Sequence, residues 1–224
     1  MKTKDNAHSQ GVEKLHNKWR LFVLRNAIRH NNSEKVEELL DRVDLLEVRD
    51  RHGWTPLRMA AAYNRPGIAQ RLLEKGAEVD VADEYGVTPL HQAVEEGARD
   101  IVQKLLEYGA DVNCLYMGLW SVLHLAAAAN QTEVIPVLIE HGAPLDRRDD
   151  AGLTPLHVAA ESGHYRAVTV LKEHGADPAA VDHQDRTPLQ LAEEEGYERI
   201  AAFLRDHCPQ QEEPSAETES NSGQ

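Results

Sequence analysis

The chain has 224 residues with 38 Asp and Glu against 24 Lys and Arg, a net charge of −14. No apolar run approaches the roughly 18 residues a membrane helix needs, and the polar start Met1–Gln10 lacks the apolar core of a secretory leader. The expectation is a protein of the cytoplasm, the nucleus or both, with Cys114 and Cys208 as reduced thiols.

The charge is unevenly spread. Residues 1–71 carry 14 basic against 9 acidic residues, a balance of +5, and residues 72–224 carry the remaining 10 against 29, a balance of −19. An acidic body repels phosphate backbones and attracts basic surfaces. The expected partner is therefore a protein with an apolar and basic segment, not nucleic acid or membrane, and the expected state is a monomer.

In chain order, residues 1–18 lack periodicity and read as a flexible lead-in. Apolar spacing then predicts a helix pair over 21–30 and 33–41 within a capping unit at 19–46. Thr55-Pro56-Leu57 follows, and returns as Thr88-Pro89-Leu90, Thr154-Pro155-Leu156 and Thr187-Pro188-Leu189, with a degraded copy at Ser121-Val122-Leu123. Each interval is 33 residues or a multiple of it. A fixed period of this size means one supersecondary unit stacked repeatedly.

Each copy reads as a helix start. The hydroxyl accepts from orphan backbone N–H groups, and proline at the first helical position has its φ already helical. Nine residues beyond each Thr or Ser stands Asn64, Gly97, Asn130, Gly163 or Gly196, residue types that enter the left-handed conformation ending a helix. A second apolar run follows and stops at Gly76, Gly109, Gly142 or Gly175. Five units result, at about 47–76, 80–109, 113–142, 146–175 and 179–208.

The third unit departs most. Tyr116 takes the slot held elsewhere by Asp50, Asp83, Asp149 and Asp182, Val122 replaces the proline, and Pro136 falls near the end of the second helix's first turn. A local stability cost of about 1 kcal/mol is expected. Val43 stands where later units have glycine. The fifth unit, with a polar second helix, reads as the C-terminal cap, and 209–224 as a disordered acidic tail in which Ser215, Thr218 and Ser220 lie among glutamates.

With Thr-Pro-Leu-His, Gly-Ala-Asp and Asp-x-x-Gly at constant offsets over about 45–208, the chain closely resembles the ankyrin-repeat family. The resemblance implies an all-α solenoid of helix–turn–helix units at 19–208, each ending in a projecting β-hairpin finger. Fingers and first helices of that family form a concave surface that holds other proteins. The positions facing it in this sequence include Arg51, His52, Trp54 and Tyr63; Glu84, Tyr85, Val87, Glu95 and Glu96; Met117 and Trp120; Leu153 and Glu161. Trp54, Tyr85 and Trp120 are expected to stand exposed as a row of apolar anchors, with Met117 beside Trp120 and the glutamates selecting positive charge. Arg58 sits where the family usually has histidine. Asn113, after Asp111-Val112, looks like the pattern that asparaginyl hydroxylases modify in such fingers.

Catalysis and metal binding find little support. His91, His124 and His157 occupy one slot per repeat, too far apart to share an ion whose ligands lie about 2 Å away, and are expected to bond to their own helix start and the next loop. Cys114 has no partner nearby in sequence, and no phosphate-binding or nucleophile-elbow motif occurs. The reading is a non-enzymatic interaction module without cofactor: a regulator, scaffold or substrate adaptor. The rivals are an acidic decoy or inhibitor of a basic protein, and the targeting subunit of a recruited enzyme.

Overall fold

In a computed structural model, residues 19–42, 45–116 and 119–208 are described. The lead-in 1–18, residues 43–44 with Val43, residues 117–118 with Met117, and the tail 209–224 lie outside the described residues.

The described chain forms six helix pairs. The first is α1 over 19–29 with α2, Ser33–Arg42. Next come α3, Pro56–Ala62, with α4, Pro66–Glu74, and α5, Pro89–Glu95, with α6, Arg99–Glu107. A two-stranded pair of β1, Leu115–Tyr116, and β2, Trp120–Ser121, precedes α7, Val122–Ala128, and α8, Ile135–Glu140. The array ends with α9, Pro155–Glu161, and α10, Tyr165–Glu173, then α11, Pro188–Glu194, and α12, Glu198–His207.

First helices stack in one row, α3 to α11, and second helices in another, each touching its neighbours in the array. The apolar positions between the rows are closed to solvent: Leu90, Ile101, Leu105, Leu123 and Leu138 are all 0% exposed. Truncating one of these leucines to alanine leaves a cavity costing about 2–5 kcal/mol.

The helix starts follow from the repeated Thr or Ser. Thr55, Thr88, Ser121, Thr154 and Thr187 are extended residues whose hydroxyls accept from the backbone N–H three positions on. In four of them the third helical side chain, His91, His124, His157 or Gln190, accepts in return from the cap's own N–H. Such reciprocal capping satisfies two donors a helix start leaves open. Asn31, Asn64 and Asn130 take positive φ alongside Gly97, Gly163 and Gly196, ending the first helices where expected.

Three features differ from expectation. Among the described residues, strand pairing occurs only in the third finger, where Leu115 opposes Ser121 and Tyr116 opposes Trp120. The other fingers are tight turns organised by an aspartate: the N–H groups of residues two and four beyond Asp50, Asp83, Asp149 and Asp182 all point at its Oδ1. Tyr116 cannot accept in this way, and a backbone ladder does the work instead. Second, α8 begins three residues later in the repeat than α6 or α10, with Pro136 inside its first turn. Proline has no N–H to continue a helix through that point, so the start shifts to it. Third, the capping unit buries Leu21, Leu24, Ala27 and Ile28 of α1 against the stack yet leaves two large rings, Trp19 and Phe22, about 60% exposed.

Candidate functional site

The sequence-predicted residues lie in the fingers, before the first helices, and at the C-terminal ends of those helices. Arg51, His52, Glu84, Tyr85, Glu95, Glu96 and Glu161 are exposed. Among the described residues Tyr85 is the most open of the large hydrophobic side chains, at 65%. No lysine or arginine pairs with Glu84, Glu95, Glu96 or Glu161 among the described residues; Gln92 alone reaches the carboxylates of Glu95 and Glu96, at 3.5 and 3.3 Å. Met117 lies outside the described residues.

The tryptophans do not stand free, which corrects the expected row of anchors. Trp120 is half-buried against the core, stacked on His124, and its indole N–H donates to Asp149 Oδ2 at 3.1 Å. Trp54 is likewise half-buried, with the Arg58 guanidinium 4.8 Å from its ring centre. Tyr63 accepts from Arg25 Nε at 3.4 Å and packs on the core, as does Leu153. Val87 is half-buried, and its carbonyl accepts from Asp83 N at 3.1 Å. Trp54, Val87, Trp120 and Leu153 lie in the fingers and Tyr63 at the end of α3, and all five are half-buried.

Two further features were within reach of the repeat period. Leu119 falls in the slot of Gly53, Gly86 and Gly152, adopts φ +63°, and is 51% exposed. A non-glycine residue in that region is strained by about 1 kcal/mol or more. Fingers two and three are neighbours, since a Cβ on Gly86 would meet the Leu115 carbonyl at 3.8 Å. Tyr85 and Leu119 therefore offer apolar surface on adjacent fingers, with Glu84 next to Tyr85 in the chain.

The second feature is a polar latch between repeats. His124 Nδ1 accepts from Ser121 N, leaving the proton on Nε2, which donates to the Leu153 carbonyl at 2.9 Å; His157 does the same with Arg186 at 3.0 Å. In the first repeat Arg58 fills this slot, and its buried guanidinium pairs with Asp83. Burial opposes ionisation of Asp83, but the Arg58 pair and the N–H groups of Val87 and Tyr85 outweigh it and hold its carboxyl below the usual range.

His91 breaks the pattern. Its Nε2 faces Cys114 Sγ at 3.6 Å, and its ring lies 5.8 Å from that of Tyr116. Cys114 thus has a histidine partner that its sequence surroundings did not reveal. The pair is not poised for nucleophilic chemistry. Burial pushes the thiol up to about 12, and burial together with Arg58 pushes His91 down to about 4, so neutral forms persist at physiological pH.

No helix among the described residues is long and apolar enough to cross a membrane. No curated protein matches the chain. The family description "Ankyrin repeats" matches three times, over residues 6–83, 24–116 and 123–217. Period, caps, stacked helix pairs and this match agree: the chain belongs to the ankyrin-repeat family, whose members are protein-interaction modules.

Proposed function

We propose that the protein is a non-enzymatic interaction module of the cytoplasm or nucleus that holds a partner's basic segment along its second and third fingers. The observation that carries this reading is the open Tyr85 ring next in the chain to Glu84, in the repeat whose first helix ends in Glu95 and Glu96, carboxylates that no lysine or arginine pairs with among the described residues. Glu161 ends the first helix of the fourth repeat as Glu95 ends that of the second. An exposed aromatic ring among uncompensated like charges favours a ligand that brings both an apolar side chain and positive charge.

Such a module regulates, scaffolds or delivers its partner. The test uses a fluorescent lysine-rich peptide with a single leucine, titrated with the full chain. Tyr85→Ala is expected to weaken binding about tenfold, and Glu95→Lys with Glu96→Lys about as much. Retention of affinity by all three changes contradicts the proposal. Loss with Glu95→Lys and Glu96→Lys alone, together with steep salt dependence, would support a purely electrostatic decoy instead.

A further inference from the structure

The N-terminal end of the stack carries a second surface of opposite character. In the other repeats a first helix starts just after its finger. In the cap, α1 already runs at residue 19, four residues before the position equivalent to the α3 start at Pro56. This extra turn stands where a preceding finger would pack against the first finger. Between them lies a cleft of about 630 Å³ lined by Leu21, Phe22 and Arg25 from α1 and by Arg49, Asp50 and Arg51 from the finger.

Its chemistry is unfinished in two ways. The outer oxygens of Asp83, Asp149 and Asp182 receive Arg58, Trp120 and Arg186 respectively. Asp50 Oδ2 is buried and receives no hydrogen bond; the nearest cation, Arg25 Nη1, is 3.5 Å away, and the Asp50 side chain is only 8% exposed. Arg49 and Arg51 are exposed without a carboxylate partner among the described residues: Arg49 donates to the Ala82 carbonyl and Arg51 to His52 Nε2. Phe22 is 63% exposed at the rim.

We infer that this cleft binds an acidic peptide segment of a partner protein, with one apolar side chain against Leu21 and Phe22 and carboxylates on Arg49 and Arg51. The net charge of the chain does not forbid it, because acids farther than about 8 Å are largely screened at physiological salt. The chain's own termini fit poorly. Residues 1–18 carry four lysines against two acids and share the sign of the cleft. Residues 209–224 are acidic but have no large apolar residue. They also follow the last repeat, five repeat junctions away. At about 8–10 Å per junction, that span of some 40–50 Å takes nearly the whole reach of 16 residues at full extension, about 53–58 Å.

The experiment titrates the full chain into a fluorescent glutamate-rich peptide with a single leucine and reads anisotropy. Arg49→Glu with Arg51→Glu, both surface changes, should weaken binding about tenfold or more, and Phe22→Ala should do likewise. Tyr85→Ala should leave this peptide unaffected, so failure here is separable from failure of the finger site. The inference is overturned if the wild-type chain does not bind the peptide or if the double arginine variant binds it equally. Equal binding of a leucine-free peptide also overturns it, as does a large gain in affinity on removing 209–224, which would make the tail the occupant.

Discussion

The junction from the third to the fourth repeat and the junction from the second to the third use equivalent positions and are held differently. At the former, Asp149 gathers the N–H groups of Ala151 and Leu153, takes the Trp120 indole on its other oxygen, and sits beneath a histidine that donates to the Leu153 carbonyl. At the latter, Tyr116 replaces the aspartate, Leu119 replaces the glycine, and His91 faces a thiol. The first is a closed network in which each donor has an acceptor. The second relies on a short strand pair and apolar contact, and leaves a leucine and a tyrosine open to solvent on adjacent fingers. The comparison teaches that apolar side chains are left open to solvent where the repeat's own polar latch has been relinquished.

Acid should act strongly on this difference. His91 is lowered from 6.5 to about 4 by burial and by Arg58, whereas the unfolded chain takes up the proton near 6.5. Its contribution to stability is therefore complete above pH 6.5 and lost as pH falls to 4, by about 3 kcal/mol in all. His124 and His157, also lowered by burial, add in the same direction. His91→Gln should keep the helix cap, as Gln190 does for Thr187, and remove this share of the pH dependence. Chemical denaturation at a series of pH values checks it; an unaltered pH profile would sink the assignment.

Asp149→Ala strips the acceptor from two backbone donors and an indole and should cost about 3 kcal/mol. Trp120→Ala should cost about 2 kcal/mol, since a packed, bonded ring is lost. Equal losses from Tyr116→Ala would erase the contrast between the junctions. Leu119→Gly should move the other way, raising stability by about 1 kcal/mol through relief of positive φ, while weakening partner binding. The smallest effect concerns Asn113, exposed at the finger base with its N–H held by Asp111 Oδ1. If it is a hydroxylation site, mass spectrometry of protein from animal-type cells finds one added oxygen there with no change in stability.

Much of the fold was legible because capping and helix ending are local. Thr-Pro-Leu, the left-handed Asn and Gly positions and the apolar spacing each act within a few residues, and the helices appear where they direct. Partners set about 29 positions apart were harder to read. Nothing around Trp120 announces that its N–H will meet Asp149, so type alone favoured an exposed anchor. Cys114 lacks a local partner, and His91, 23 positions earlier, meets it across the repeat junction. Leu119 was visible in the period as a leucine in a glycine slot, and Tyr85 and the glutamates emerge as exposed because no neighbouring repeat supplies a group to cover them.

The most direct test of the account is a pair of titrations on one protein. The lysine-rich peptide with a single leucine is measured against the wild-type chain and against Tyr85→Ala, each at low and at physiological salt. The account predicts about a tenfold loss on removing the ring at either salt concentration, with no shift in the thermal midpoint because the ring is 65% exposed. Equal affinity of the two proteins, or a ring whose removal lowers the midpoint by many degrees, would contradict it.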